Sequence, residues 1–371
     1  MSEVTPLATD ENAPHVDFNG LAGDFFLIQL GNLALTILTL GVFRFWGKAK
    51  YRRYLWAQTS LGGDAIEYRG TGFELFIGAI LVVLLVSIPF GLISILSPML
   101  IGKASVAIFV SQFILVLAIY YLVAVGQYRS WRYLLSRTSW RGIRSGMNEQ
   151  GFSFGLFSFG LTLATMFSLG LALPWATAKR WNRLVRDVRI GSLPLSAVAD
   201  HRPVWKPFLL VWSLIVIPMI AFYAWFFFNY GAMISKPNEN PSPEDLKQLF
   251  IAIGILYLGL IILGFVGAML FANYQAAYLK ETFNNTRIGE TMVLRIDVTT
   301  WEVVRYYLGN IALVLFTAYL GIILMPYRYW AFMAQRVWID GYYDPSMLQQ
   351  TSLSAPGQGD GLVDAFDVSS F

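Results

Sequence analysis

The chain has 371 residues, 56% of them hydrophobic and 13% charged, with a formal net charge of +4. Soluble domains carry about 25% charged residues, so this composition, with a mean hydropathy of +0.55, excludes an ordinary soluble domain and fits a polytopic membrane protein. The lack of cysteine excludes disulfides, thiolate metal sites and cysteine nucleophiles, and two histidines, His15 and His201, are too few for a histidine-rich metal cluster.

Residues 1–14 have neither the basic start nor the short apolar core of a signal peptide and read as a disordered tail. "HVDFNG" (15–20) follows as a candidate edge strand. Crossing a hydrocarbon core of about 30 Å takes about 20 mostly apolar residues. Seven stretches qualify: 25–45, 73–97, 104–126, 152–175, 207–231, 248–273 and 303–325. Charged residues such as Arg44, Glu74 and Arg305 stand at their ends, and the polar residues inside are mild: Gln29, Asn32, Thr36, Gln112 and Asn310. Between the stretches lie "TSLGGDAIEYRGTG" (59–72), "SRTSWRGIRSG" (136–146), "RDVRIGS" (186–192) and "FNNTRIGETMVLRI" (283–296). Their Gly-Gly and Asn-Asn-Thr turns with β-branched flanks predict short hairpins that pair into a small sheet on the cytoplasmic face. Residues 345–371 read as a second disordered, acidic tail.

Lys and Arg set the orientation. Residues 44–72 hold six, 127–151 five, 176–206 seven and 274–300 three, whereas 98–103 and 232–247 hold only Lys103, Lys236 and Lys247. The positive-inside rule places the first four groups in the cytoplasm. Seven crossings would put the two basic loops 127–151 and 176–206 on opposite sides. Either 25–45, 152–175 and 303–325 are re-entrant, or one basic loop is misplaced. The expected fold class is therefore an all-α polytopic membrane protein with four to seven membrane segments and short cytoplasmic β-hairpins.

"TLGVFRFWGKAKYRRYL" (39–55) returns as "SLGLALPWATAKRWNRL" (168–184), pairing Gly41 with Gly170, Trp46 with Trp175 and Lys50 with Lys179. A weaker third copy is "YLGIILMPYRYWAFMAQRV" (319–337). The expected organisation is two tandem units, 15–151 and 152–300, and a half-unit, 301–344.

The sequence has the pieces of a family. Phe18 and Gly20, then "FFLIQLGNLALTILTLGVFRFWGKAKYRRYL", "TSLGG", "YRGTG" (68–72) and "YLLSRTSWRGIR" (133–144) stand in an order that resembles the YjgN-like bacterial inner-membrane family, domain of unknown function 898. The third copy departs from the pattern, with Pro326-Tyr327 where the second has Pro174-Trp175. The resemblance implies a multi-pass protein of the cytoplasmic membrane and brings no activity, substrate or catalytic residue with it.

The basic-aromatic runs carry the functional reading. Trp46, Lys48, Lys50, Arg52 and Arg53, with Trp175, Lys179, Arg180 and Arg183, are candidates for binding anionic lipid headgroups, because aromatic rings rest at headgroup depth and basic side chains snorkel to phosphates. Arg137 and Arg141 would share one face of an extended strand and hold a phosphate together. Glu302 and Arg305 are spaced for a helix surface pair, and His201 reads as an interfacial side chain. No acid/base pair, P-loop or hydrolase motif occurs, so neither an enzyme nor a cofactor is expected, and no nucleic-acid module is recognisable. The expected role is a non-enzymatic membrane component that binds anionic lipid headgroups or a partner, either another protein or a second copy, through these basic-aromatic collars. The alternative is a small-solute transporter or channel.

Overall fold

The structure is a computed structural model that describes residues 16–101, 106–235, 242–341 and 348–353. The chain makes five excursions, each leaving a strand, running out and back as a helical hairpin, and ending in the next strand. The first runs β1 (Val16–Phe18), α1 (Ala22–Leu38), α2 (Arg44–Ala57) and β2 (Thr59–Leu61). The second runs β3 (Asp64–Tyr68), α3 (Gly72–Val82), a π-helical turn, α4 (Ile88–Ile101), α5 (Val106–Ser136) and β4 (Thr138–Trp140). The third is β5 (Ile143–Met147), α6 (Gly151–Phe167), α7 (Leu173–Arg186) and β6 (Val188–Ile190). The fourth is β7 (Leu193–Ala197), α8 (Arg202–Ser235), α9 (Pro243–Asn284) and β8 (Thr286–Ile288). The fifth is β9 (Met292–Ile296), α10 (Thr300–Phe316), a 3-10 turn, α11 (Met325–Ala334) and β10 (Val337–Gly341). The expected unit boundaries at 151 and 300 fall at the starts of α6 and α10.

The strands form one antiparallel ten-stranded sheet in sequential order, and β10 comes back against β1, so the sheet curls into a near-closed barrel. In every excursion the outgoing and returning strands pair, and the residue just after the first strand donates its backbone N–H to the carbonyl just before the second. These bonds are Asn19 to Gln58 (2.9 Å), Arg69 to Arg137 (2.8 Å), Asn148 to Asp187 (3.0 Å), Val198 to Asn285 (3.0 Å) and Asp297 to Arg336 (3.3 Å). Tight turns join successive excursions. Gly62-Gly63 and Arg141-Gly142 take positive φ at both central positions, as two-residue hairpin turns require. Along the strands apolar side chains alternate with polar ones. Leu61, Ile190, Leu195, Ile288, Leu294 and Ile339, from separated strands, meet in one cluster that fills the barrel, while the intervening Glu67, Arg287, Arg295 and Asp340 take the opposite face.

This corrects the expected all-α class and its four to seven membrane segments. The sheet is a main layer of the molecule, and among the described residues two helices, 106–136 and 202–228, are long and apolar enough to cross a bilayer. The three doubtful stretches are each broken by a left-handed turn: Leu40-Gly41, Leu169-Gly170 and Ala318-Tyr319. There the chain reverses toward the sheet. The 17-residue helices α1, α6 and α10 are about 25 Å long, short of the roughly 30 Å core.

Two excursions start with the same device. Thr71 with Glu74, and Thr299 with Glu302, form capping boxes at the starts of α3 and α10, and each glutamate then meets the arginine that ends its own excursion, Arg137 or Arg336. Glu302 therefore pairs with Arg336 at 2.9 Å, and not with the expected Arg305. The expected tail 1–14 lies outside the described residues, as does the second tail except for 348–353. That piece lies across the turns of the third excursion: Ser192 N donates to the Gln349 carbonyl at 2.9 Å, and the Arg144 guanidinium donates to the Leu353 carbonyl at 2.5 Å.

Candidate lipid-facing collar and axial cavity

The outer surface is layered. At the tips of the short excursions Leu40 is 95% exposed, Phe167 84% and Phe316 90%. The apolar window of α5 is wholly unburied. Apolar surface on this scale is covered by a membrane or a partner. At the other end, the outer strand face carries paired charges: Glu67 with Arg69 at 2.7 Å, Arg141 with Asp64 at 2.5 Å and Arg295 with Asp340 at 3.4 Å. The hydrogen bond from Arg69, and then its charge, holds the Glu67 carboxyl below its ordinary range.

Between these layers lie the basic residues. On α2, Trp46, Lys50 and Arg53 follow an i, i+4, i+7 spacing and are exposed on one face. Lys179, Arg183 and Arg186 repeat that spacing on α7, with Lys179 and Arg186 exposed. Arg53 also donates to the Gly70 carbonyl at 2.8 Å, and Arg183 to the Ser153 hydroxyl at 3.4 Å. Lys50 and Lys179 each stand seven residues before the helix end, about 10 Å above the sheet. The hairpin tips stand about 15 Å farther out, half the thickness of a roughly 30 Å hydrocarbon core.

The remaining candidates point elsewhere. Lys48 and Arg52 are each only 6% exposed. Arg52 donates to the Tyr68 hydroxyl at 3.4 Å and lies over that ring. Arg180 turns into its own hairpin, donating to the Ser158 hydroxyl at 2.9 Å and the Thr162 hydroxyl at 2.7 Å. Trp175 is half-buried at the start of α7. Arg137 closes the end of α5 against Glu74, whereas Arg141 sits in the β4–β5 turn against Asp64, so each guanidinium has its own carboxylate. His201 meets Asp200 at 3.0 Å. Among the described residues no cluster of His, Asp and Glu is arranged to hold a metal.

Two features escaped the linear reading. One is a series of indole bonds between neighbouring excursions: Trp56 Nε1 donates to Thr138 Oγ1 at 3.0 Å, Trp181 to Thr286 at 3.1 Å and Trp330 to Thr59 at 2.7 Å. The last bond joins the fifth excursion to the first. The other is a cavity of about 590 Å³ on the barrel axis, where the helices meet the sheet. All five excursions reach it, through Val16 and Thr59, Ile66, Trp181, Tyr278 and Tyr306. A Trp stands seven residues before the Val that opens β6 and β10 (Trp181 and Val188, Trp330 and Val337), a spacing visible in sequence, but only the curled sheet reveals what it faces.

The chain is similar to the Inner membrane protein YjgN of Salmonella typhimurium, 24% identical over 324 residues, covering 86% of this chain and 74% of that protein. It is also similar to the Inner membrane protein YjgN of Escherichia coli K12, 36% identical over 63 residues, or 17% of this chain and 16% of that one. No solved structure matches. Residues 13–365 match the family described as "Bacterial protein of unknown function (DUF898)", and the chain belongs to that family.

Proposed function

We propose that this protein is a non-enzymatic component of the bacterial inner membrane that binds anionic lipid headgroups through an outer cationic collar, Lys50 and Arg53 on α2 and Lys179 and Arg183 on α7. The supporting observation is the layering: apolar tips at one end, a charged sheet at the other, and the exposed Lys50 and Lys179 about 15 Å below the tips. With that collar among the phosphates, the short hairpins reach the middle of the bilayer, and α5 and α8 are long and apolar enough to reach across it. The sheet then lies on the cytoplasmic side, where anionic lipid attracts each exposed base by about 1 kcal/mol. The name of the relatives, inner membrane protein, agrees with this location.

The test is lipid analysis of protein extracted from native membrane. Phosphatidylglycerol or cardiolipin should be enriched over the bulk lipid, and replacing Lys50, Arg53, Lys179 and Arg183 together with Gln should abolish the enrichment. The buried pair Lys48 and Arg52 should stay intact, because they serve packing. Equal lipid composition in the wild type and the quadruple variant refutes the collar. The mainly apolar and aromatic lining of the axial cavity does not favour the alternative of a hydrated-solute channel.

A further inference from the structure

We infer that the axial cavity is a binding site for an uncharged lipid whose head carries oxygen acceptors, the chemistry shared by quinones and acylglycerols. This site is separate from the collar and does not depend on it. Its volume of about 590 Å³ falls within the roughly 300–1,000 Å³ of small-molecule sites. No Asp, Glu, Lys or Arg is among its lining residues. The nearest cations, Arg180 and Arg328, stand behind the wall and are engaged with Ser158 and Thr162 and with Asn310, so an ionised head would lose its hydration without a charged side chain in the lining to receive it, which favours a neutral one.

The polar atoms of the lining specify the rest. Gln275 and Tyr278 stand one helical turn apart on α9, and Tyr307 faces the same space from α10. Among the described residues the Gln275 amide and the Tyr278 and Tyr307 hydroxyls have no hydrogen-bond partner, so three donors converge on a cavity with nothing of the protein to receive them. These half-buried residues open onto the cavity. A ligand oxygen completes them, and a carbonyl or ester suits donors better than a group that must itself donate. Around these atoms the walls are flat and apolar: Trp181 stacks on Phe283 at 5.7 Å and Trp330 on Trp56 at 4.2 Å. Such faces suit a planar ring or the start of a hydrocarbon chain. The strand residues Val16, Thr59, Ile66 and Val337 line its sheet side.

The experiment titrates the full chain in neutral detergent with decyl-benzoquinone and, separately, with dioctanoylglycerol, using calorimetry for both and tryptophan fluorescence for the quinone. One probe or both should bind saturably, and which of them binds identifies the source of the head. Tyr278→Phe and Gln275→Leu should each weaken binding about tenfold with an unchanged melting temperature, the loss expected for one hydrogen bond. Leu279→Trp should fill the space and abolish binding. Trp181→Phe should reduce the quenching by quinone. The inference is overturned if neither probe binds, if the conservative Tyr278→Phe and Gln275→Leu variants bind as the wild type does, or if dioctanoyl-phosphatidylglycerol displaces the probe with equal affinity.

Discussion

The barrel closes through a contact between residues 271 apart in sequence, the Trp330 indole and the Thr59 hydroxyl, 2.7 Å apart. Thr59 is 2% exposed and also donates to the Leu55 carbonyl at 2.8 Å, while Trp330 stacks on Trp56 at 4.2 Å. Thr59→Val keeps the side-chain volume and removes the acceptor, leaving an indole N–H without a partner at a cost of about 1–3 kcal/mol. Trp330→Phe removes the donor and part of the stack. The double variant strands nothing, so its loss should fall below the sum of the single losses by about 1 kcal/mol or more. Thr138→Val cuts the corresponding bond from Trp56, between excursions that follow one another in the chain. It should destabilise the protein without loosening the closure between β10 and β1. The assay is thermal unfolding in nanodiscs combined with amide exchange. Each kcal/mol should move the melting temperature by about 1–2 °C at this size, and exchange should accelerate selectively in β1 and β10 for the Thr59 and Trp330 variants. Additive losses with unchanged exchange in those strands would refute the reasoning.

Acidification should weaken the fifth excursion. The Thr299 backbone N–H above all, helped by the Thr299 hydroxyl and Arg336, holds the folded Glu302 carboxyl near pKa 2, against an ordinary value of 4.5. Its contribution is therefore complete above about pH 4.5 and is lost as pH falls toward 2. Glu302→Gln should flatten the fall in melting temperature between pH 5 and 3, and an unchanged slope counts against the assignment. Two glycines should respond with opposite signs in chemical or thermal unfolding. Gly72→Ala places a Cβ 2.6 Å from the Trp46 Cα and should cost about 1–3 kcal/mol, whereas Gly31→Ala, inside α1 with open space around it, should stabilise by about 0.5–1 kcal/mol. Phe167→Asp should cost about 2.5–3.5 kcal/mol in a bilayer and far less in a short-chain detergent. Equal losses in the two media would place the α6 tip outside the hydrocarbon.

The sequence revealed the local pieces more clearly than their assembly. "TSLGG" and "SWRG" announce hairpins because a tight turn is encoded in adjacent residues, and both are found. The small sheet expected from these hairpins is in fact ten-stranded and nearly closed, and that extent was missed because its strands are only three to five residues long and the partners within an excursion are separated by whole helical hairpins. The basic run 48–53 was legible as a charged helix end but not as two faces. One face carries Lys50 and Arg53 outward and the other buries Lys48 and Arg52. Glu74 and Arg137, 63 residues apart, show no spacing signal, so the arginine read as a free anion site is the partner of a helix cap. The axial cavity was illegible for the same reason, since its lining residues come from all five excursions.

The conflict between the two basic loops dissolves in the sheet. Five excursions start and finish on it, so each crosses a bilayer either not at all or an even number of times. Loops 127–151 and 176–206 both flank its strands and must share a side, whatever the depth of the helices between them. Parity at the sheet fixes this more firmly than a count of apolar stretches, because a stretch that bends back at Leu40-Gly41 or Leu169-Gly170 has the composition of a crossing helix without its length. Short and long excursions alternate around the sheet, short at the first, third and fifth positions. The closing contact between the fifth and the first therefore joins two short ones, and their tips, Phe316 and Leu40, both expose apolar side chains. On that side the molecule has only short hairpins, and the cavity walls formed by α9, α10 and α11 lie next to them. For the lipid site inferred at the cavity, the expected entry to Tyr278 and Tyr307 is there, beside helices too short to span a membrane.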